Sequence, residues 1–294
     1  MADVEHEIAS QPDCWEQAAD LGLSQASAKV LPQPGERVAV AGCGTSWFVA
    51  QAYAALREHC GQGETDAFCA SEFPAHRTYD RVLAISRSGT TTEILQLLHR
   101  LPTGAPTLVI TSDPATPATG LVQSTLALPF ADERSIVQTR FATSALTLLR
   151  AHLGDDLENL VADGRTALET SLPLDPRSIE QITFLGTGWT VGLASEAALK
   201  CREAALCWTE AYPAMEYRHG PISIAAAGRA VWVFGPAPAG LAGDVDRTGA
   251  TLVTGDLDPL AELVRAQRLA VALAADRKLD PDRPRHLTRS VILS

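Results

Sequence analysis

Residues 84–98 read AISRSGTTTEILQLL, and Ser86, Ser88, Thr90, Thr91 and Thr92 crowd five hydroxyls around Gly89 within a span of seven residues. Before them, RVLAIS (81–86) is a continuous apolar run and reads as a buried strand. After them, TTEILQLLHRL (91–101) has helical apolar spacing. A strand that ends in small residues and passes at once into a helix leaves unpaired backbone N–H groups at the positive end of the helix dipole. An anion fits there. Glycine lets the backbone approach closely, and Ser and Thr hydroxyls donate to phosphate oxygens without a metal. Arg87 adds charge to the turn or points away from it. The simpler alternative is an N-cap, with Glu93 beyond it. One hydroxyl suffices for a cap, and five exceed that need, so the pattern favours an anion site.

Working outward, the same grammar repeats. RVAVAGCG (37–44) reads as a strand and TSWFVAQAYAALREHC (45–60) as a helix. PTLVITSD (106–113) is a strand closed by Asp113 and Pro114, ALPFADERS (127–135) a further strand, and SIVQTRFATSALTLLRAHL (135–153) a long helical segment. Apolar strands spaced by helices predict a parallel α/β sheet. The pattern then restarts: QITFLGTG (181–188) is a strand, WTVGLASEAALKCREAAL (189–206) a helix, and RAVWVFGP (229–236) and LAVALAAD (269–276) are strands. Laid over the first copy, the second aligns Gly186 with Gly42 and Gly188 with Gly44, a weak internal repeat of one α/β unit. The join falls near SLPLDPRS (171–178), preceded by a helical connector. Only the first copy carries the hydroxyl cluster, so one such site per chain is expected.

The bulk composition excludes several classes. The 294 residues suffice for two domains; 46% are hydrophobic and 20% charged, and the net charge is −11. No run of about 18 apolar residues predicts a membrane span. The acidic start MADVEHEIASQPDCW has no secretory h-region, and no basic cluster suggests nucleic acid. The six cysteines, at 14, 43, 60, 69, 201 and 207, form no zinc-binding spacing and predict a reduced, cytoplasmic protein. Cys43 reads as a packing residue inside the first glycine turn. That turn, GCGTS (42–46), is not a dinucleotide fingerprint, because Trp47 stands where a glycine is wanted. Parallel sheets bind ligands at strand carboxyl ends, so Thr45 and Ser46 could face the same ligand as the hydroxyl turn.

The second copy offers titratable groups. Glu196, Lys200 and Glu203 lie at i, i+4 and i+7, on one helix face. Spacing alone favours a surface salt-bridge ladder, with Glu196 and Lys200 in the orientation preferred for an exposed pair. The otherwise apolar helix, at a strand's end, favours a functional face, and His219 in the stiff RHGP turn joins it as a candidate acid–base group.

GCGTS, SRSGTTTE, EAALKCRE and RHGP, in this order and at these separations, resemble the sugar isomerase (SIS) domain family. The nearest likeness is to the isomerase half of glucosamine-6-phosphate synthase and its stand-alone isomerase and deaminase relatives. The resemblance runs from EIASQP near the start to RPRHLTRSV near the end. It implies an α/β fold of two flavodoxin-like three-layer αβα SIS subdomains with parallel sheets. The expected organisation is an N-terminal helical arm (1–30), a first subdomain with the phosphate cradle (31–155), a linker helix (156–178) and a second subdomain with the acid–base residues and a C-terminal loop (179–294). It implies a homodimer.

By that resemblance, Thr45, Ser46, Ser86, Arg87, Ser88 and Thr91 hold the phosphate of a hexose 6-phosphate, with Arg87 where relatives often have Gln. Glu203 is the base that moves a proton between C1 and C2. His219 helps to open the sugar ring from across the subunit interface. Lys200 sits near the sugar oxygens, and Ile136 offers backbone contacts. Two departures stand out. Residue 2 is Ala, not the nucleophilic cysteine of a glutaminase domain, so ammonia from glutamine is not expected. Arg289 takes the place of the family's Schiff-base lysine, and a guanidinium stays protonated and cannot form an imine; it can hold a ring oxygen or a carboxylate.

The reading is a phosphosugar isomerase/deaminase acting on an amino-sugar or ketose 6-phosphate, with no cofactor, metal, nucleic-acid or membrane partner. Its alternatives are a fructosamine 6-phosphate-type deglycase and a non-catalytic sugar-phosphate-sensing module.

Overall fold

The computed structural model describes residues 2–74 and 76–293. The chain divides into two compact units, each assembled from separated segments. The first comprises Asp13–Arg134, Gln138–Leu157 and the last residues from 288 to 293; the second comprises residues 2–12, Ser135–Val137 and Glu158–Leu287.

In chain order the N-terminal helices are α1 (Asp3–Ala9), α2 (Gln11–Leu23) and α3 (Gln25–Val30). The first unit then contains β1 (Val38–Gly42), α4 (Thr45–His59), β2 (Thr65–Cys69), β3 (Arg81–Ile85), α5 (Thr92–Arg100), β4 (Thr107–Thr111), β5 (Ser124–Ala127) and α6 (Arg140–His152). Its five strands are parallel, in the order β2-β1-β3-β4-β5. All five residues of β1 and of β4 are buried, as expected of strands covered on both faces. Ile94, Leu97 and Leu98, at i, i+3 and i+4 on α5, bury one stripe against Ala41, Ala84 and Val109 of the sheet. The chain leaves β1 toward β2 on one side and β3 toward β4 on the other. The carboxyl ends of β1 and β3 are therefore adjacent at a topological switch point, where a doubly wound sheet opens a crevice.

The second unit contains α7 (Leu160–Glu169), β6 (Gln181–Gly186), α8 (Thr190–Ala205), β7 (Trp208–Pro213), β8 (Arg229–Phe234), α9 (Leu241–Asp246), β9 (Thr251–Val253) and α10 (Pro259–Asp276). Its four parallel strands run β7-β6-β8-β9, the first unit's winding with one strand fewer. The repeat extends to atomic detail. A Cβ on Gly42 would lie 2.4 Å from the Ser46 carbonyl carbon, and a Cβ on Gly186 would lie 2.3 Å from the Thr190 carbonyl oxygen. Each glycine ends the first strand of its unit directly beneath the first turn of the next helix, where no side chain fits. The helix α1 is tied to the second unit by Asp282, whose carboxylate accepts from the Asp3 and Val4 amides at 2.7 and 2.9 Å.

Several expected elements differ. LAVALAAD (269–276) is the last part of α10, not a strand. That helix packs on α8, α7 and α1, and its stretch 269–275 is apolar throughout; such a short window cannot be told from a buried strand. Instead of ALPFADERS, the fifth strand is Ser124–Ala127, and α6 begins only at Arg140. The strands β2, β7 and β9 have no counterpart in the sequence reading. Each is an edge strand or short, and TDAFC and WTEAYP lack an unbroken apolar run. No helix among the described residues is long and apolar enough to cross a membrane.

Candidate functional site

The hydroxyl turn follows β3, and the GCGTS turn follows β1, so the switch point places both at one crevice mouth. Gly89 has φ +58°, and its amide donates to Ser86 Oγ at 3.1 Å. The Thr90 amide donates to Ser88 Oγ at 3.2 Å. These bonds fold 86–90 into a tight loop that aims side chains inward. Thr91 is the N-cap residue of α5, yet its side chain makes no capping bond, so the simple capping role does not account for its hydroxyl. Ser46, Ser86, Arg87, Ser88, Thr91 and Arg289 all line one small cavity of about 30 Å³. Thr45 is buried on the first turn of α4, outside that lining.

Arg87 is buried and turned to a carboxylate. Its Nη1 lies 3.4 Å from Glu133 Oε2, and its Nη2 donates to the Arg289 carbonyl at 2.8 Å. Glu133 is held in turn by the Thr139 amide and hydroxyl, at 2.5 and 3.1 Å. Burial lowers the pKa of the Arg87 guanidinium and Glu133 opposes that shift; an arginine remains cationic throughout. Arg289 Nη2 donates to Asp132 Oδ1 at 2.6 Å. Burial pushes the Asp132 carboxyl up, but the Ser112 hydroxyl and Arg289 outweigh it and hold it below its ordinary value.

Ser290 and Val291 complete this crevice. Ser290 Oγ accepts from Ser88 Oγ at 3.2 Å and from Thr90 Oγ1 at 3.0 Å, and lies 3.4 Å from Thr91 Oγ1. The Thr92 amide, at the start of α5, donates to the Val291 carbonyl at 3.1 Å. Sequence reasoning missed Asp132, Glu133 and Ser290. Only the acidic pair inside ADERS hinted at the first two, and nothing marked Ser290 beyond its place beside Arg289.

Cys43 also lines the cavity, with its thiol pushed up to about 12 by burial and then by the charge of Glu93. It is protonated at neutral pH, as a packing residue would be.

In the second unit, α8 presents the charged face. Lys200 Nζ lies 2.6 Å from Glu203 Oε2 and 3.3 Å from Glu196 Oε1. The side chains of Lys200 and Glu196 are 1% and 2% exposed, and that of Glu203 is 19% exposed. A solvated surface ladder is therefore excluded: the ammonium is buried between two carboxylates, and only Glu203 reaches solvent. An ion pair so placed is costly unless well paired, which singles the face out from ordinary helix surface. His219 is exposed in the turn that follows Glu216–Arg218, its amide donating to the Glu216 carbonyl at 2.9 Å. Ile136 lies in the short segment Ser135–Val137, which groups with the second unit.

No family model matches the chain. Over 305 residues it is 29% identical to the isomerizing glutamine–fructose-6-phosphate aminotransferase of Methanothermobacter thermautotrophicus, covering 87% of this chain and 51% of that protein. The same enzyme of Gloeobacter violaceus is 26% identical over 314 residues, covering 87% and 52%. The chain spans about half the length of these curated relatives. Among solved structures, glucosamine-6-phosphate deaminase from Thermotoga maritima superposes with a TM-score of 0.85 at 26% identity, covering 99% of this chain and 100% of that one. The C-terminal domain of glucosamine-fructose-6-phosphate aminotransferase from Francisella tularensis gives 0.81 at 21% identity, covering 97% and 98%.

Proposed function

We propose that the chain, which is similar to the isomerase part of glutamine–fructose-6-phosphate aminotransferases and to a solved glucosamine-6-phosphate deaminase, is a sugar isomerase (SIS) domain protein and acts as a phosphosugar isomerase/deaminase on an amino-sugar or ketose 6-phosphate. One observation carries the reading: the hydroxyls of Ser46, Ser86, Ser88 and Thr91 line one cavity beside the N-terminus of α5, at the switch point of a parallel sheet. Neutral donors and a helix terminus suit a phosphate dianion.

The proposed chemistry is proton transfer alpha to a carbonyl. Ring opening frees the C1 aldehyde of a 2-amino-sugar phosphate. A carboxylate takes the C2 proton, and the electron pair left behind forms an enolamine. A proton delivered to C1 gives the ketose imine, which water splits into ketose 6-phosphate and ammonia. In reverse, ketose phosphate and ammonia give the amino sugar. We assign the proton transfer to Glu203, the group on the α8 face that reaches solvent, with Lys200 fixing its carboxylate and His219 assisting ring opening. Thr45 and Ile136 are assigned to support of the phosphate turn and to backbone contact with the sugar. Arg289 cannot supply an imine-forming amine, and it is engaged by Asp132, so the proposed route contains no enzyme-bound imine at that position. The proposed assembly is a cytoplasmic homodimer in which His219 serves the partner copy's site.

The test is proton NMR in heavy water, with glucosamine 6-phosphate in one sample and fructose 6-phosphate plus ammonium in another. Loss of the C2 or C1 proton signal is expected, and the product names isomerase or deaminase. No exchange with either, while both sugars raise the melting temperature, would replace the enzyme by a sensor.

A further inference from the structure

The phosphate cradle is already engaged, and by the protein itself. Three hydroxyls, those of Ser88, Thr90 and Thr91, converge within 3.0–3.4 Å on the single oxygen Ser290 Oγ. The Thr92 amide at the head of α5 is taken by the Val291 carbonyl, and Thr92 Oγ1 accepts from the Leu293 amide at 2.9 Å. Several donors converging on one oxygen is the arrangement that a phosphoryl oxygen meets, and a hydroxyl is the weaker occupant, since bonds to an anion are roughly twice as strong. Ser290 itself borders a cavity of about 390 Å³ that it shares with Ser88, Thr90 and the carboxylates of Asp113 and Asp132, whose charge disfavours an anion. The cavity lined by Ser46, Ser86, Ser88 and Thr91, which Ser290 does not reach, is about 30 Å³. That admits about two waters by the measure that a single water fills roughly 10–15 Å³, and it is too small for the five heavy atoms of a phosphate.

The tail is also latched. Buried Arg87, steadied by Glu133, holds the Arg289 carbonyl. On the outer side the Arg289 guanidinium pairs with Asp132, at 40% and 46% exposure. The inner latch is held by a buried guanidinium, and the outer one is solvated and therefore weak.

We propose that residues 288–293 form a strap that competes with the phosphoryl group for the cradle: Ser290 stands in for a phosphate oxygen, and substrate binding requires the strap to give up Ser88, Thr90 and Thr91. The proposal rests on the reading of the cradle as a phosphate site and adds a regulatory property to it. The strap sets the apparent affinity, because the anion binds only the fraction of molecules in which the cradle is open. It also keeps the hydroxyl turn ordered when no sugar phosphate is bound.

The test is isothermal titration of the protein and its Ser290→Ala variant with inorganic phosphate and with glucosamine 6-phosphate. Hydrogen exchange of the peptides covering 88–93 and 288–293 is followed in parallel. Ser290→Ala is expected to tighten phosphate binding roughly three- to tenfold, the scale of one or two lost hydrogen bonds. Phosphate is expected to speed exchange in 288–293 of the unaltered protein. Weaker binding by Ser290→Ala would make Ser290 a ligand of the phosphate and overturn the competition. Equal binding with unchanged tail exchange would remove the strap and leave the cradle standing. Binding by neither protein would remove the cradle, and the strap with it.

Discussion

The Lys200 ammonium lies 2.6 Å from the Glu203 carboxylate, with the lysine side chain 1% exposed and the glutamate partly open to solvent. A buried cation fixes one oxygen of the carboxylate and leaves the group at the edge of solvent. If Glu203 is the proton carrier, Glu203→Gln keeps its size and its contact with Lys200 but removes the base. Turnover should fall roughly 100- to 10,000-fold, with the Michaelis constant changed only a few-fold. Deuterium incorporation from solvent is the readout, and a variant that still exchanges the sugar's C2 proton would take Glu203 out of the reaction.

Lys200 has a structural role separable from that chemistry. Lys200→Met removes the cation 3.3 Å from the buried Glu196 carboxylate. Breaking such a pair costs about 3–5 kcal/mol, to be seen as a lower urea midpoint at unchanged slope. Adding Glu196→Gln should return much of the loss, because the stranded charge is then gone. A double variant no more stable than the single one would show that the loss comes from packing alone.

Ser88→Ala removes a hydroxyl that lines the cavity and takes part in the convergent set. In the Ser290→Ala background, where the same hydroxyl no longer also holds the strap, phosphate or sugar-phosphate affinity measured by titration should fall about three- to tenfold on adding Ser88→Ala. Unchanged affinity would place the anion elsewhere.

Gly89 has φ +58°, and a Cβ there would come within 2.6 Å of Thr116 Cβ. Gly89→Ala therefore meets both a disfavoured backbone conformation, about 1–2 kcal/mol, and a clash. A lower melting temperature together with weaker phosphate binding is expected. Loss of stability with full binding would show that the turn's shape is not needed for the anion.

Among the cysteines, Cys60 is exposed and Cys201 is fully buried. The Cys43 thiol is held at about 12 by burial, with the charge of Glu93 adding to it. A thiol's reactivity follows its thiolate fraction. Iodoacetamide on the native protein at pH 8 should modify Cys60 and spare Cys43 and Cys201 on the same timescale. Early labelling of Cys43, read by peptide mass, would reveal a thiolate in the cradle and reopen its role as a nucleophile.

Local patterns carried much of this protein. Continuous apolar runs at 81–86 and 181–188 are the mark of strands buried on both faces, and both are strands of parallel sheets. Gly42 and Gly186 announced two tight strand-to-helix turns, because only glycine fits under a helix's first turn. The hydroxyl-rich turn and the Glu196–Lys200–Glu203 spacing were likewise visible, since each lies within about two helical turns of chain. Short or edge strands such as TDAFC and WTEAYP were not, because half-buried positions need no apolar run. LAVALAAD misled, because a helix buried on several sides loses the amphipathic period that identifies it.

Burial and long-range pairing were decided by the tertiary structure alone. Spacing could not separate a solvated ladder on α8 from a buried Glu196–Lys200 pair with Glu203 at its solvent edge; packing of α8 against the sheet and α10 did. Nothing near Arg87 in the chain shows that its guanidinium turns to Glu133. The meeting of Ser88 with Ser290 joins residues 202 positions apart. Sequence periodicity reports only which face of an element is buried. Which distant segment covers that face is fixed by the winding of the whole chain.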